Sequence, residues 1–267
     1  MSATENPFDL KGRVAIVTGA GQGVGRGIAH MLAAHNAAIA VNDFYAERAD
    51  AVVAEIKEMG GKAVPMVCDV SDYDQVAAAT AKVEEVLGPV SILVNNAGNG
   101  GPTGFPLDFP LFWQTQPKDW DKFFKVNLFG VMNCCRAVTP GMAERKYGRI
   151  VTIISDSGRT PENRQSDYSA AKAGAAGFMR GLAADGGRYG INCNSIAISS
   201  IQPPMTPEQK EAFLASDRSK AALSQYIVRR FGEPSDIAGM ALLLSSDAAS
   251  WITGQTYPVN GGYTSGL

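Results

Sequence analysis

Tyr168 and Lys172 stand four residues apart in Tyr168-Ser-Ala-Ala-Lys172, inside a run of small residues that reads as a helix. That spacing puts a phenol and an ammonium one turn apart on the same face. A free tyrosine, with a pKa near 10, exchanges protons poorly at neutral pH, and a neighbouring positive charge favours its phenolate. Tyr168 so placed can take a proton from, or return it to, an oxygen on a bound molecule. Thirteen residues upstream, Ser155 closes the apolar run from Arg149 to Ile154 and can hydrogen-bond that same oxygen, with Ser157 as the alternative hydroxyl. Asn127 completes the set. It interrupts the apolar stripe Phe123, Phe124, Leu128, Val131 and Met132 of a segment that reads as one helix from Trp120 to Ala143. A buried amide needs a partner, a backbone carbonyl or an ordered water, and a water held behind Lys172 would open a proton route to solvent.

A tyrosine and a lysine at this spacing are common by chance, so the weight falls on the elements that would position them. The apolar run Val14 to Val17 stops at Thr18-Gly-Ala-Gly-Gln-Gly-Val-Gly25 and restarts as an amphipathic helix towards Ala34. Gly19, Gly23 and Gly25, with Gln22 and Val24 between them, would let backbone approach a pyrophosphate at a helix N-terminus; the alternative is a glycine-rich loop of some other α/β protein. A second apolar run ends at Asp43, 18 residues past Gly25. A carboxylate there accepts hydrogen bonds from both adenosine ribose hydroxyls and repels a 2'-phosphate, so NAD is expected over NADP; the bland alternative is a solvated Asp. The next strand, Ala63 to Cys68, leads into Asp69 and Val70. Asp69 is a candidate for the adenine amino group, or else Asp69 or Ser71 caps the following helix. After the strand Val90 to Val94 come Asn95-Asn96-Ala97-Gly98, where small residues leave room for a ring or ribose and the amides can tie strand ends together.

The rest of the chain is one continuous α/β alternation. Strands are expected at Ile191 to Ala197 and Thr256 to Val259, and helices at Ala46 to Met59, Tyr73 to Leu87, Glu208 to Arg229 and Pro234 to Leu244. The 267 residues suit a single domain, 1–267, with a substrate loop at about 199–230 that begins as an irregular stretch from Ser199 to Pro207. Between Asn99 and Pro117, Phe105, Phe109, Phe112 and Trp113 line a substrate cleft, or else serve as satellite core or a subunit contact.

A formal net charge of -2 and the lack of a basic stripe argue against a nucleic-acid partner. No apolar run is long enough for a membrane span and none follows a basic leader. Four scattered cysteines and two histidines lack metal-ligand spacing, so no metal is expected and a reducing, cytoplasmic setting fits.

With these motifs in register, the chain from Lys11 to Gly262 resembles the short-chain dehydrogenase/reductase family: Thr18 to Gly25 as its cofactor loop, Asn95 to Gly98 as its central strand motif, and Asn127, Ser155, Tyr168 and Lys172 as its catalytic tetrad. The resemblance implies a single Rossmann-fold domain, a doubly wound seven-stranded parallel sheet with helices on both faces, and commonly a homotetramer built on the helices around Asn127 and Lys172 and on the last strand. It implies a nicotinamide cofactor bound also by Tyr168, Lys172 and Ile201, and hydride exchange with a small-molecule secondary, often cyclic, alcohol or its ketone. Phe231 to Pro234 and Gly254 to Gly262 also resemble members that reduce 3-oxoacyl thioesters. For that alternative a basic patch drawn from Arg159, Arg164, Arg218, Arg229 and Arg230 would be the sign. A third reading is a non-catalytic dinucleotide-binding scaffold or sensor, against which the intact Tyr168 and Lys172 argue. One departure stands out: where the family usually has Pro-Gly, then Ile or Val and a Thr, this chain has Ile198-Ser-Ser-Ile-Gln-Pro203, predicting a weaker cofactor grip or a different loop path.

Overall fold

In the computed structural model, which describes residues 6–99, 110–202 and 205–265, each glycine-punctuated apolar run becomes a strand and each following amphipathic run a helix. The strands are β1 (Val14–Val17), β2 (Ala38–Asp43), β3 (Lys62–Val67), β4 (Val90–Asn95), β5 (Gly148–Ser155), β6 (Ile191–Ile198) and β7 (Thr256–Val259). They form one seven-stranded sheet in the order β3-β2-β1-β4-β5-β6-β7, every pairing parallel. The order reverses between β1 and β4, and that switch opens a crevice beyond the carboxyl ends of the strands.

Strand residues alternate between two covered faces, as the period of two requires. Ala15, Val17, Ile39 and Val41 pack with α1 (Gly23–Ala34), α2 (Ala46–Glu58) and α9 (Pro234–Ser245). Val14, Ile16, Ala38 and Ala40 face α3 (Tyr73–Leu87), α5 (Val131–Arg145) and α6 (Ser166–Gly186). The chain is therefore a single Rossmann-like domain with helices on both faces. Among the described residues no helix is long and apolar enough to cross a membrane.

Three local expectations change. The helix expected from Trp120 to Ala143 is α4 (Pro117–Phe124), a π-helical turn over Lys125–Gly130 and then α5. Asn127 is the cause: its side-chain amide donates to the Phe123 carbonyl at 3.0 Å, the acceptor that an α-helix reserves for the Asn127 backbone amide. The segment 208–229 divides into α7 (Pro207–Ala215) and α8 (Asp217–Leu223), because Ser216 leaves the helical region and caps the second helix through Ser219 N–H. Finally, neither Asp69 nor Ser71 caps α3. That role belongs to Asp72, which accepts from Gln75 N–H, while the Asp69 carboxylate accepts from Ser71 N–H at 2.8 Å.

Candidate active site

The carboxyl end of β5 delivers Ser155, and α6 brings Tyr168 and Lys172 over it. Tyr168 is buried, its ring edge-on to the fully buried Phe123, and its hydroxyl is hydrogen-bonded by Ser155. Ser157 takes a supporting place: its hydroxyl and its backbone N–H both donate to Ser155 Oγ, at 2.9 and 3.3 Å. With both lone pairs engaged, Ser155 turns its own hydrogen outward, so the geometry sets Ser155 rather than Ser157 beside the phenol.

Lys172 is also buried and donates to the Ile153 carbonyl at 3.1 Å. Asn127 is fully buried; besides Phe123 it bonds the Asn99 carbonyl at 3.0 Å and accepts from Asn99 N–H at 3.2 Å. Asn127 and Lys172 meet at Gly98, where an added Cβ would lie 2.9 Å from Asn127 Oδ1 and 3.2 Å from Lys172 Nζ. Burial disfavours charge on both ionisable groups, pushing the Tyr168 phenol up to about 12, partly opposed by the Ser155 bond, and the Lys172 ammonium down to about 8. The sequence suggests that the ammonium should dominate; in the folded protein desolvation does.

On the other side of the crevice, Gly19 and Gly23 adopt positive φ (60° and 55°), and nothing would meet a Cβ at Gly23, so backbone faces open space there. Gly25 is different: a Cβ would run into Asn96 and the Gly19 carbonyl, so its smallness lets α1 approach β4. Gln22 is exposed and no side chain caps α1, leaving its first amides, including Val24, directed at the crevice. Asp43, 6% exposed at the end of β2, accepts from Gly21 N–H at 3.1 Å and Tyr45 N–H at 3.0 Å. Val70 is buried against Gly130, which seats the π-helical turn. Asn96 donates to the Thr18 and Gly19 carbonyls at 2.8 and 3.1 Å, and Asn95 to Thr152 Oγ1 at 3.2 Å, so the two amides tie β4 to β1 and β5. Ala97 N–H donates to Thr18 Oγ1, and Ile201 pairs with Gly232.

Two residues here were not singled out in the sequence. Thr18 accepts from both Asn96 and Ala97 N–H at 2.9 Å, and its signal was visible, a hydroxyl at the last step of a buried strand. Asp156, buried next to Ser155, accepts from Asn260 and Thr264 near the carboxyl end. No local pattern announces a contact across 104 residues. Of the aromatic cluster, Phe112 stacks on Trp120 and Trp113 is 78% exposed, while Phe105 and Phe109, like Pro203, lie outside the described residues.

A family profile described as enoyl-(acyl carrier protein) reductase matches residues 19–264. The 7alpha-hydroxysteroid dehydrogenase of Escherichia coli is 35% identical over 95% of this chain and 94% of its own length. The chain belongs to the short-chain dehydrogenase/reductase family. Solved structures agree. A gluconate 5-dehydrogenase from Burkholderia cenocepacia, in complex with NADP and tartrate, superimposes with a TM-score of 0.86 at 32% identity, covering 98% of each chain. A 3-oxoacyl-[acyl-carrier protein] reductase from Brucella melitensis with bound NAD gives 0.86 at 33% identity over 99% of each. As a short-chain dehydrogenase/reductase, this protein is an NAD(P)-dependent oxidoreductase. Its residues fit the cofactor: an uncapped helix N-terminus, an open glycine turn and a buried carboxylate line one side of the crevice, with the Tyr168 and Lys172 pair on the other.

Proposed function

We propose that this short-chain dehydrogenase/reductase interconverts a secondary alcohol, cyclic ones included, and its ketone, with NAD as the preferred cofactor and Tyr168 as the general acid/base. The observation that carries this reading is the buried Tyr168 hydroxyl, bonded by Ser155 and set one helical turn from the buried Lys172. A bound nicotinamide would supply the hydride chemistry, and the chain's own residues place the substrate and move the proton. In ketone reduction Tyr168 would give its phenolic proton to the substrate oxygen, and Ser155, its lone pairs occupied by Ser157, would turn its one hydrogen from Tyr168 to that oxygen as charge develops. In alcohol oxidation the proton travels the other way. Lys172, drawn down to about 8, is poised to pass a proton near neutral pH, with Asn127 beside it at Gly98.

The cofactor roles follow from placement. Gly19, Gln22, Gly23, Val24 and Gly25 would receive the pyrophosphate at the α1 N-terminus, and Asp43 the adenosine ribose. Asp69 and Val70 would border the adenine, Asn96, Ala97 and Gly98 the far ribose, and Ile201 the carboxamide. Asp43 retains lone pairs beyond those that accept from Gly21 and Tyr45, which supports a ribose contact and repulsion of a 2'-phosphate. The segment 199–230, with α7 and α8, would form the substrate loop. A homotetramer is supported by half-exposed Phe129 and Met132 at the π-helical turn and start of α5, and by a groove of about 540 Å3 between α6 and β7. Four free, buried cysteines accord with a reducing cytoplasm.

Reduction of a 3-oxoacyl thioester is the second reading, favoured by the Brucella melitensis relative. Against it, two candidate arginines for a carrier phosphate already face carboxylates: Arg230 pairs with Asp236 at 2.6 Å and Arg159 lies 3.7 Å from Asp156. The deciding experiment is turnover with NADH and NADPH on cyclic and linear ketones and on 3-oxoacyl thioesters. Preferential ketone turnover with NADH is expected; preference for the thioesters would replace the first reading by the second. No turnover, with cofactor binding intact, would favour the non-catalytic sensor.

A further inference from the structure

The loop that follows β6 begins beside the catalytic strand. Ile198, the last residue of β6, is the parallel partner of Ser155, so Ser199 to Ile201 run along the edge of the crevice nearest the reacting groups. This is also where the chain departs from its family, with Ile198-Ser199 in the place of Pro-Gly. A proline would set one backbone angle by covalent geometry; this chain must hold the loop otherwise.

Packing holds it only in part, through Ile198 and Ile201 against the core. Behind the loop lies a cavity of about 220 Å3 bordered by Ser199, Ile201, Tyr226, Ile237 and Val259. What crosses that space is Tyr226, 3% exposed, whose hydroxyl lies 2.5 Å from Ser199 Oγ and accepts from Ser200 N–H at 3.2 Å. Next to it, Gly232 N–H donates to the Ser200 carbonyl at 3.1 Å and Gln202 N–H to the Gly232 carbonyl at 2.8 Å. The Tyr226 ring is itself anchored, with Tyr263 of the carboxyl-terminal segment at 5.2 Å and Phe231 at 6.1 Å. Phe231 in turn meets Phe213 of α7 at 5.3 Å.

We propose that Tyr226 is a positioning residue whose hydroxyl, through Ser199 and Ser200, sets the path of the loop after β6 and thereby the seat of the nicotinamide end of the bound dinucleotide. The proposal rests on the dinucleotide reading of the crevice. Tyr226 replaces a backbone constraint by a side-chain brace, and through Phe231, which meets Phe213, it ties the start of the 199–230 segment to α7. The glycine turn and Asp43, which face the adenosine half, lie across the switch on β1 and β2 and share none of these contacts.

The test compares the two halves of the cofactor in the full chain. NADH binding is read by nicotinamide fluorescence and ADP-ribose binding by calorimetry, for the unaltered protein, Tyr226→Phe, Ser199→Ala and the double variant. Phenylalanine keeps the ring contacts and removes the brace, so NADH should bind about tenfold more weakly, the worth of one or two buried hydrogen bonds. ADP-ribose should bind as before. Ser199→Ala should weaken NADH in the same direction, and the double variant should lose less than the product of the two single losses, since both remove one interaction. Unchanged NADH binding in Tyr226→Phe, or equal losses for NADH and ADP-ribose, would overturn the proposal. If Tyr226→Phe does not fold, Ser199→Ala, which leaves the aromatic cluster intact, decides by the same comparison. An unaltered protein that binds neither NADH nor NADPH would instead overturn the dinucleotide reading, and this proposal with it.

Discussion

Lys172 Nζ lies 5.9 Å from the centre of the Tyr168 ring, one turn along α6, and donates back to the Ile153 carbonyl. Neither side chain reaches bulk water freely, so each raises the cost of charge on itself while the ammonium lowers the cost of a phenolate. Which effect wins depends on what else enters the crevice.

Removal of the phenolic hydroxyl tests the proton step alone. Tyr168→Phe should lower kcat by about 10²- to 10⁴-fold, the usual worth of a positioned acid or base. NADH affinity should stay within about twofold, because no new volume enters the site. Steady-state rates alongside NADH fluorescence titration check both halves; an unchanged kcat removes Tyr168 from the reaction.

The pH dependence has a definite sign. With Tyr168 in the proposed role, alcohol oxidation requires it to accept a proton, so that rate should rise with pH, whereas ketone reduction should fall once the phenol ionises. Below about pH 8, where Lys172 carries its charge, Lys172→Met removes the ammonium that favours phenolate, so oxidative rates in that range should fall and the limb move to higher pH. Rate profiles of the two proteins test this, and a limb that stays in place dissociates Lys172 from the ionisation of Tyr168.

Stability should report the same burial. The folded value for Lys172, about 8, lies below its ordinary 10.5, so from pH 8 upwards the unfolded chain holds the extra proton and stability rises with pH. Tyr168 has the opposite sign, raised from 10 to about 12, and costs stability only above pH 10. Between pH 8 and 10 the lysine therefore acts alone in this pair. Unfolding free energies from urea titration should rise across that window in the unaltered protein, by up to about 3 kcal/mol, and rise less in Lys172→Met.

Asp43→Ala should narrow the preference for NADH over NADPH by about tenfold, the value of a lost charge-assisted bond to the ribose. The same change leaves the amides of Gly21 and Tyr45 without their acceptor, so unfolding should also become easier, by about 1 kcal/mol. Competitive titration of the two cofactors measures the first effect. A fixed ratio would mean that Asp43 serves the glycine turn only.

Gly98→Ala introduces a methyl group 2.9 Å from Asn127 Oδ1 and 3.2 Å from Lys172 Nζ, side chains held by buried hydrogen bonds to the Phe123 and Ile153 carbonyls. Either side chain must shift, at a cost of about 1–3 kcal/mol. The expected result is a loss of kcat with a smaller loss of stability, read by rates and thermal unfolding on the same preparation. Wild-type rates in this variant would show that Asn127 and Lys172 can relax without consequence.

Most of the fold was legible because its signals are local. An apolar run bounded by glycine or proline makes a covered strand wherever it stands, so the bounds of β1 and β7 agree with the expected ones and the other strands differ by one or two residues at an end. The seven-stranded parallel sheet and the family followed from motifs in order. The sequence reads as one unbroken helix through Asn127, because the spacing of Phe123, Phe124, Leu128 and Met132 is nearly the same with or without one widened turn. Only an amide folded back on Phe123 and tied to Asn99 decides for the π-helical turn, and Asn99 lies 28 residues away.

By itself, then, the sequence determined which residue types could do the chemistry and in which strand ends and helix turns they sit, since spacing along one element sets which side chains share a face. Tertiary structure alone decided their state and their support. Burial under packed helices, not the nearby ammonium, sets the direction of the Tyr168 shift, and Ser157 orients Ser155. Thr18, Asp156 and Tyr226 acquire their roles from partners 26 to 108 residues distant, brought within hydrogen-bond reach only when the strands assemble into one sheet, Thr18 where β1 meets β4 and the other two at the carboxyl ends of β5 to β7. Periodicity carries information along a strand or a helix; charge, desolvation and hydrogen bonds act through space, and space is what folding defines.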